Sequence, residues 1–313
     1  MSSTVLTLTM NSSVDVSFSV DQVRPEKKLR CSQPLFKAGG GGINVSRAIK
    51  KLGGKTFAVC ASAEPKGKPL YKLLSDENIE CRAFRVEGRT RENFTASEKS
   101  SQQQYRFVMP GVKMSEKEWL SALEAVAESC LESDYIVATG SLPPGVPDDF
   151  YAELASRMQT AGLRTIIDTS GEPLRLAAQK GVFMIKCNLR EFKQLTGEEI
   201  QDEEQILSAG DKLIHSGDTQ NLVITLGAGG CFLINRDKKS HFRSPTVPIK
   251  SRVGAGDSMT AGIVYKMSGG SDLVDAVRYG IAAGAAAVMT PGSELCCMED
   301  TERLYSITKN NGC

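Results

Sequence analysis

An aspartate beside a late glycine turn is the side chain best placed to do chemistry in this sequence. The segment Val253-Gly254-Ala255-Gly256-Asp257-Ser258 opens a predicted helix that runs through 263–267. Small residues at a helix N-terminus leave backbone N–H groups open to an anion such as a transferring phosphoryl group. Asp257 could then accept a proton from a substrate hydroxyl. The same residues also fit an ordinary glycine turn with an aspartate at a helix start.

A run of four glycines, Gly39 to Gly42, precedes a second predicted helix over 43–52. Residues without Cβ let a ligand approach the backbone, and Asn44 can donate or accept a hydrogen bond at the helix start. The pattern is neither a Walker A loop, because no Gly-Lys-Ser/Thr follows, nor a G-x-G-x-x-G dinucleotide turn. In isolation it predicts a flexible loop.

A pair of oxygen-bearing residues, Asn188 and Glu191, lies one helical turn apart after a predicted strand. Oxygen ligands on one helix face suit Mg²⁺, which proteins hold largely through waters and nucleotide phosphates. A helix capping box has the same spacing, and the local sequence does not separate the two interpretations. The glycine turn at 225–230 also follows a predicted strand, and we expect it to lie at the same edge of the sheet as Asn188 and Glu191.

Isolated charges lie on or beside strand-like segments in the first third of the chain: Asp15, Lys28, Arg89, Arg91 and Arg106. Such charges usually lie on solvated faces. Asp15, however, follows the first predicted strand, and open α/β sheets bind ligands at the carboxyl ends of their strands. Arg91 could form a bidentate pair with a phosphate group.

The elements that must position these groups alternate between helix and strand from about Trp119 onward, which is typical of a parallel sheet covered on both faces. The strands are apolar at nearly every position, as expected when both faces are buried. The predicted strands are 135–139, 164–168, 183–186 and 221–226. The predicted helices are 148–159, 172–179 and 203–215, and 279–289 is expected to be a buried helix.

Two strand-like segments, 15–36 and 79–109, alternate without intervening helices and predict a separate small sheet. A helix, a strand and a helix between them, 43–52, 56–61 and 70–75, belong with the main sheet. We therefore expect a main domain of residues 1–14, 39–78 and 111–313 and a β lid of residues 15–38 and 79–110. An exposed sheet needs its edge or open face covered, and pairing with a second copy would do so.

Composition and charge exclude several classes of function. The 313 residues include 38 Lys plus Arg and 37 Asp plus Glu, so the chain lacks the basic surplus that nucleic-acid binding uses. No apolar run reaches the ~18–20 residues that span a bilayer, and the start of the chain lacks signal-peptide features, so we expect a cytoplasmic protein. Nine cysteines without a CxxC pair indicate reduced thiols, and two histidines exclude an HExxH metal site.

Taken together and in order, these segments resemble the ribokinase-fold sugar kinases of the phosphofructokinase B family over essentially the whole chain. That family implies a three-layer α/β fold with a mostly parallel central sheet and a small β-sheet lid. The resemblance depends on seven short segments: SSVD at 12–15, GGGGIN at 39–44, GSLPPG at 140–145, DTSGE at 168–172, NxxE at 188–191, TLGAGG at 225–230 and VGAGDS at 253–258.

The resemblance implies ATP-dependent phosphorylation of the 1-hydroxyl of fructose 6-phosphate, with Asp257 as the general base. The amides of Gly254, Ala255 and Gly256 would form the anion hole. The residues implied for the sugar phosphate are Asp15, Gly40, Gly41, Asn44, Arg91 and Ser141, with Arg106 reaching it from the lid of a second subunit.

The family also implies where the nucleotide and the metal ions bind. The residues implied for ATP and Mg²⁺ are Lys186, Asn188, Glu191 and the turn residues Thr225, Gly227 and Gly230. Adenine would lie near Ile281 and Ala285, and Lys28 would contact a nucleotide phosphate at the dimer lid. A K⁺ site would use backbone carbonyls of Ser251, Val253, Ala287, Thr290, Gly292 and Glu294.

The sequence departs from the family pattern at three positions, one of which bears on the substrate. Cys187 and Ser12 replace prolines that are usual in the family, which loosens two turns without removing a functional group. Gly41 stands where tagatose-6-phosphate kinases and 1-phosphofructokinases usually have lysine, which favours the 6-phosphofructokinase branch. Those two kinases, a nucleoside kinase and a non-catalytic sugar-phosphate or nucleotide sensor remain alternatives. A dinucleotide-dependent oxidoreductase would need a glycine pattern that is absent.

Overall fold

The computed structural model describes residues 3–63, 69–130 and 133–310. Nine strands form one large sheet in the order β13-β12-β11-β10-β9-β8-β1-β4-β5. Neighbouring strands are parallel from β11 to β5, whereas β12 and β13 form an antiparallel edge. The strands are β1 (Thr4–Thr9), β4 (Thr56–Ser62), β5 (Glu80–Arg85), β8 (Ser133–Thr139), β9 (Arg164–Asp168), β10 (Val182–Asn188), β11 (Thr219–Thr225), β12 (Cys231–Asn235) and β13 (Lys239–Phe242).

Helices cover both faces of this sheet and bury two apolar cores. The helices are α1 (Gly41–Lys51), α2 (Pro69–Asp76), α3 (Glu116–Ser129), α4 (Phe150–Thr160), α5 (Gly171–Ala178), α6 (Leu189–Thr196), α7 (Glu203–Ser216), α8 (Ala255–Ser268), α9 (Leu273–Val288) and α10 (Met298–Asn310). Helices α3 to α7 pack on one face, and α1 with α8 to α10 pack on the other. Successive strand side chains point to opposite faces, so Leu6 and Leu8 enter the first core while Val5 enters the second. The predicted three-layer α/β fold is confirmed. No helix within the described residues is both long and apolar enough to cross a membrane.

A separate four-stranded sheet has the order β3-β2-β6-β7. Its strands are β2 (Ser13–Val20), β3 (Leu35–Gly39), β6 (Arg91–Glu98) and β7 (Gln104–Phe107). Strands β2 and β6 are parallel, and the other two pairs are antiparallel. Several large apolar side chains of this sheet are exposed, including Leu35 at 58%, Phe36 at 50% and Phe107 at 53%. Phe36 and Phe107 lie on the same face of the small sheet, in register through Val16 and Phe94, and Leu35 lies on the opposite face.

Three details of the predicted elements are wrong. Residues 80–85 were assigned to the small sheet, but β5 pairs in parallel with β4 at the edge of the large sheet. Its alternation arises because Cys81 and Ala83 pack on a small core while Glu80 and Arg82 face solvent. Asp15 lies inside β2 rather than after a main-sheet strand. Residues 29–32 contribute only a bridge between Cys31 and Val20.

The glycine quartet is ordered rather than a flexible loop, because β3 ends at Gly39 and α1 begins at Gly41. Gly40 has a φ of 111°, which favours glycine. At Gly42 a Cβ atom would overlap the carbonyl group of Leu8 and would lie 2.6 Å from Oγ1 of Thr9. The close approach of α1 to β1 therefore requires a residue without a side chain.

We expect Gly42→Ala to lower the free energy of unfolding by about 2 kcal/mol, because the methyl group meets backbone that must shift. Urea denaturation measures the change. Gly269→Ala is the matched control: its new Cβ would lie 3.4 Å from the nearest atom, in ordinary contact, so stability is expected to be unchanged or raised by up to about 1 kcal/mol. Equal stabilities of Gly42→Ala and wild type would contradict the close-approach argument.

Candidate active site

The predicted sugar-site residues and the predicted base meet in one cleft between the large sheet and the small sheet. The cleft lies at the carboxyl ends of β8 and β9 and at the N-termini of α1 and α8, with β2, β6 and β7 beside it. Its volume is about 310 Å³. The predicted residues that line it are Asp15, Gly40, Gly41, Asn44, Arg91, Arg106, Ser141, Glu191 and Asp257.

Asp257 lies in the first turn of α8, which begins at Ala255 after Gly254. The φ of Gly254 is 75°, and a Cβ there would overlap the side chain of Leu295, so glycine is required at this helix start. The turn therefore presents small residues and free backbone amides beside the carboxylate. This geometry can bind an anion next to a proton acceptor.

The environment of Asp257 tunes it toward proton transfer near neutral pH. Burial and the charges of Asp168 and Asp15 raise its pKa, a hydrogen bond from Asn44 and the charge of Lys186 oppose the rise, and the resulting value is about 6. The hydrogen bond runs from Nδ2 of Asn44 to Oδ2 of Asp257 over 2.9 Å. A carboxylate with this pKa is ionised at pH 7 and is a stronger base than an ordinary aspartate.

An ion pair forms the floor of the cleft. Nζ of Lys186, on β10, lies 2.6 Å from Oδ2 of Asp168 at the end of β9, and both side chains are nearly buried. Oγ1 of Thr260 donates to the same carboxylate oxygen over 3.1 Å. Burial alone would lower the pKa of Lys186, but the charges of Asp168, Asp257 and Glu191 raise it. The ammonium group therefore stays charged among three carboxylates.

The side of the cleft formed by the small sheet is held by a network of hydrogen bonds. Oδ1 of Asp15 accepts from Oγ of Ser13 over 2.8 Å and from Nδ2 of Asn93 over 2.9 Å. The two Nη atoms of Arg91 donate to the backbone carbonyls of Met109 at 3.0 Å and Asn11 at 2.8 Å. These bonds fix the guanidinium at the wall of the cleft.

Asn188 and Glu191 form the capping box that the sequence left as an alternative. Oδ1 of Asn188 accepts from the Glu191 backbone N–H over 2.9 Å, and Oε2 of Glu191 accepts from the Asn188 N–H over 2.8 Å. Glu191 nevertheless faces the cleft. Within the described residues no group of three His, Cys, Asp or Glu side chains could bind a metal unaided. Isolated carboxylate donors fit Mg²⁺, which takes one or two protein oxygens and completes its shell with phosphates and water.

The remaining nucleotide-side residues lie away from the cleft cavity. Thr225 ends β11 beside Asn188, and its Oγ1 donates to the carbonyl of Cys187 over 3.4 Å. Residues Gly227–Gly229 form a single 3-10 turn before β12. Ile281 lines a second cavity of about 410 Å³, and Ala285 is buried on the same helix. Lys28 is exposed in the segment between β2 and β3 and does not line the cleft of its own chain.

The chain matches the description of the pfkB family of carbohydrate kinases over residues 4–301. It belongs to the pfkB carbohydrate kinase family. This confirms the resemblance found in the sequence. Two curated relatives are the ATP-dependent 6-phosphofructokinase isozyme 2 of Mycobacterium tuberculosis and that of Escherichia coli. Each is 38% identical; the alignments cover 97% and 96% of this chain and 89% and 98% of the respective relatives.

Solved structures support the same family and fold. The E. coli phosphofructokinase-2 in complex with fructose 6-phosphate superposes with a TM-score of 0.92 and 36% identity, over 98% of this chain and 99% of that one. The same E. coli protein has also been solved in complex with potassium, with a TM-score of 0.93, and as a tetrameric inhibited form, with a TM-score of 0.91.

The loops predicted for K⁺ in this pfkB kinase are tied together by hydrogen bonds. Oγ of Ser251 donates to the Gly292 carbonyl over 2.8 Å, and Oγ1 of Thr290 donates to the Ala287 carbonyl over 2.8 Å. Neutral carbonyl oxygens suit K⁺, which proteins coordinate in this way elsewhere. The Glu294 carbonyl accepts from the charged Nζ of Lys51, whereas the Gly292 and Ala287 carbonyls accept from neutral hydroxyls, so Glu294 is the poorest K⁺ ligand of the predicted set.

Sequence reasoning did not assign a role to Asp168, the ion-pair partner of Lys186. Its position at the end of a predicted strand was the available signal, because that is where this fold class binds ligands. Asn93 and Thr139 also line the cleft and were not predicted. Threonine is common in strands and asparagine is not, but nothing in the local pattern distinguishes either position from a surface position.

Proposed function

We propose that this pfkB kinase is an ATP-dependent 6-phosphofructokinase, which transfers the γ-phosphoryl group of ATP to the 1-hydroxyl of fructose 6-phosphate. One observation carries the proposal: Asp257, at an amide-rich helix start, shares a cleft with Asp15, Asn44 and the guanidinium of Arg91. A base, an anion site and a cationic anchor within one cavity are what phosphorylation of a sugar phosphate requires. The relatives named above support the substrate.

The proposed mechanism is a direct in-line transfer without a phosphoenzyme. The oxygen of the sugar 1-hydroxyl attacks the γ-phosphorus while Asp257 accepts the proton of that hydroxyl. The bond between the γ-phosphorus and the oxygen that leaves with ADP breaks. The backbone amides at Gly254, Ala255 and Gly256 stabilise the charge on the transferring group, and Lys186 adds a positive charge from the cleft floor. Bound Mg²⁺ would neutralise charge on the nucleotide phosphates. Glu191 and Asn188 are the residues that would hold it, directly or through water.

The sugar phosphate would be oriented by the small-sheet wall. Arg91 supplies N–H donors to the 6-phosphate, Arg106 lies at the rim of the cleft, and Asp15, Asn44 and Ser141 accept or donate to the sugar hydroxyls. Gly40 and Gly41 let the sugar approach the backbone. Closure of the small sheet would exclude water, which otherwise competes for the γ-phosphoryl group.

Close isomers of the substrate are the main alternative within the kinase class. Relatives named 1-phosphofructokinase and tagatose-6-phosphate kinase are 30% and 29% identical. A Cβ atom at Gly41 would lie 3.1 Å from the Gly140 backbone nitrogen, so the lysine usual in those branches has little room here. This packing favours fructose 6-phosphate.

The deciding experiment is a coupled ADP-release assay with fructose 6-phosphate, tagatose 6-phosphate, fructose 1-phosphate and a control without sugar. We expect the highest kcat/KM with fructose 6-phosphate and almost no ADP in the control. A higher kcat/KM with another sugar would reassign the substrate. No ADP release with any sugar phosphate, despite binding, would favour the non-catalytic sensor.

The turnover of this enzyme is expected to fall below about pH 6. Asp257 must be ionised to accept the proton, and burial raises its pKa to about 6, so activity is present above that pH and lost as protonation proceeds. Measurement of kcat between pH 5 and 9 with saturating substrates tests this. A flat profile down to pH 5 would contradict a base in this environment.

We also propose that the small sheet is a lid and the contact of a homodimer. The exposed side chains of Phe36 and Phe107 on one face of the sheet support this, since exposed apolar surface of this kind usually marks an interface. The lid would then comprise 15–38 and the segment from Arg91 to 110, with the rest as the main domain. Sedimentation should give about twice the mass of 33.8 kDa of one chain.

Two further features belong to this proposal. A K⁺ ion would bind at the backbone carbonyls of Ser251, Val253, Ala287, Thr290, Gly292 and Glu294, and the potassium complex of the E. coli relative supports that site. We also propose a cytoplasmic location, because the scattered cysteines of the sequence do not form the paired pattern of a disulfide framework.

A further inference from the structure

Arg47 is among the largest side chains that the described part of the chain buries completely. It lies on α1, one helical turn after Asn44, and the proposed mechanism does not use it. A guanidinium withdrawn from water is unfavourable unless its N–H groups are paired. Its partners therefore show what this charge is for.

One edge of the guanidinium forms a bidentate pair with Glu77, which directly follows α2. Nε lies 2.7 Å from Oε2, and Nη2 lies 3.0 Å from Oε1. Burial would raise the pKa of Glu77, but the hydrogen bonds and charges of Arg47 and Lys37 lower it. The pair fixes the plane of the guanidinium and hence the direction of its other nitrogen.

That other nitrogen, Nη1, faces three oxygen atoms from separate elements. It lies 3.4 Å from the carbonyl of Ala38 on β3, 3.3 Å from the carbonyl of Ser293 and 3.4 Å from Oδ1 of Asn44. The group thus connects the small sheet, the loop before α10 and the amide that contacts Asp257.

The contact with Asn44 determines which way its amide faces. Arginine can only donate, so Nη1 favours Oδ1 of Asn44 on its side. Nδ2 then faces the other way and donates to Oδ2 of Asp257 over 2.9 Å. With the amide reversed, an NH₂ group would face the guanidinium and an oxygen would face the carboxylate, and both contacts would be repulsive.

We propose that Arg47 is a positioning residue for phosphoryl transfer, which locks the Asn44 amide so that a donor always faces the carboxylate of Asp257. This inference rests on the proposed function, because it takes Asp257 as the base. The groups around the base are Asp168 on β9, Lys186 on β10 and Asp15 on β2. Around Arg47 they are Glu77, Lys37, Glu294 and Lys51.

The test is the pH profile of kcat for Arg47→Met with saturating substrates. Without Arg47 the Asn44 amide can rotate, so its donor faces the carboxylate for less of the time and the ionised form of Asp257 loses part of its stabilisation. We therefore expect the acid limb of the profile, the fall in kcat at low pH, to move up by about one pH unit, which lowers kcat about twofold at pH 7 and about tenfold at pH 5. The KM for ATP is expected to stay within about threefold of wild type, since Arg47 does not line the cleft. A wild-type acid limb would overturn the proposal.

A mutant cycle separates positioning from a general electrostatic effect. Asn44→Ala removes the amide and should itself raise the acid limb. Adding Arg47→Met to Asn44→Ala should then move the limb no further. If Arg47→Met shifts the limb equally with and without Asn44, the residue does not act through the amide and the proposal is wrong.

Two more variants keep the test decisive. Should Arg47→Met fail to fold, Arg47→Lys keeps a cation opposite Glu77, but one nitrogen cannot replace the fork that reaches Asn44. Its acid limb must also rise, and a wild-type limb would overturn the proposal. Lys51→Met is the matched control: it removes a cation from the same cluster that makes no contact with Asn44, so its acid limb should stay at the wild-type pH.

A readout without turnover distinguishes failure of this inference from failure of the proposed function. The free energy of unfolding is measured against pH with Asp257 and with Asp257→Asn, in the wild-type and Arg47→Met backgrounds. In each background the difference between the two curves gives the titration midpoint of Asp257. If the wild type releases no ADP with any sugar phosphate, the proposed function fails. A midpoint raised by Arg47→Met would still support the inference, and an unmoved midpoint would refute it.

Discussion

Asp257→Asn is expected to lower turnover by about 10³-fold or more while fructose 6-phosphate still binds. The asparagine keeps the shape of the side chain and can still accept the hydrogen bond from Asn44, but it cannot take the proton of the 1-hydroxyl. Stopped-flow or coupled assays measure the rate, and calorimetry measures binding. Retention of a tenth of the wild-type rate would refute the role of Asp257 as base.

The same substitution is expected to stabilise the fold without ligands. Folding raises the pKa of Asp257 to about 6, so the ionised form disfavours the native state above that pH. Since the side chain is only half-buried, removing the charge should raise the free energy of unfolding at pH 8 by about 1–2 kcal/mol. The gain should shrink as pH falls toward 4. Asp237→Asn, in the exposed turn after β12, should change neither rate nor stability.

Lys186→Met is expected to lower both stability and activity. Removing the ammonium group leaves the nearly buried carboxylate of Asp168 without its ion-pair partner, which should reduce the free energy of unfolding at pH 8 by about 3 kcal/mol. Turnover at pH 7 should fall about 10²-fold, because a cation is lost from the transition state and the pKa of Asp257 rises further. The loss of stability should be smaller at pH 5, where protonation relieves the repulsion between carboxylates.

The double variant Lys186→Met/Asp168→Leu separates the two effects. It removes both charges, so it should recover much of the stability but none of the activity. The control is Lys212→Met, which breaks an exposed ion pair in which Nζ of Lys212 lies 2.8 Å from Oε1 of Glu198. It should change the free energy of unfolding by less than about 1 kcal/mol. Wild-type stability of Lys186→Met at pH 8 would show that the buried pair does not stabilise the fold.

Short glycine-bounded segments allowed most of the cleft to be predicted. Asn44 and Asp257 are 213 positions apart, yet each stands at a helix start after small residues, and they are in direct contact. Such starts lie at the carboxyl edge of a parallel sheet whatever the strand order. Type and spacing therefore made both residues candidates, and the family resemblance placed them in one site.

Contacts between strands were harder to predict, because alternation in one segment does not reveal its neighbour. Strand β5 alternates between exposed and partly buried residues, which fits either sheet. It joins the edge of the large sheet because the crossover through α2 places it beside β4. Lys186 and Asp168 meet because β10 lies beside β9. Arg47 is similar: a charged residue on a helix predicts exposure, and its burial depends on Glu77 and a loop 246 positions away.

The order of the chain has a consequence for synthesis on the ribosome. Helices α8 to α10 cover one face of the large sheet together with α1, and they emerge after every strand of that sheet has been made. A nascent chain that ends before Ala255 holds most of the sugar-facing groups but leaves uncovered the apolar side chains of β10 to β12 on that face, including Met184, Val223 and Leu233. Such an intermediate should bind folding chaperones until the last helices are released, and truncation there should yield aggregates instead of a weakly active enzyme.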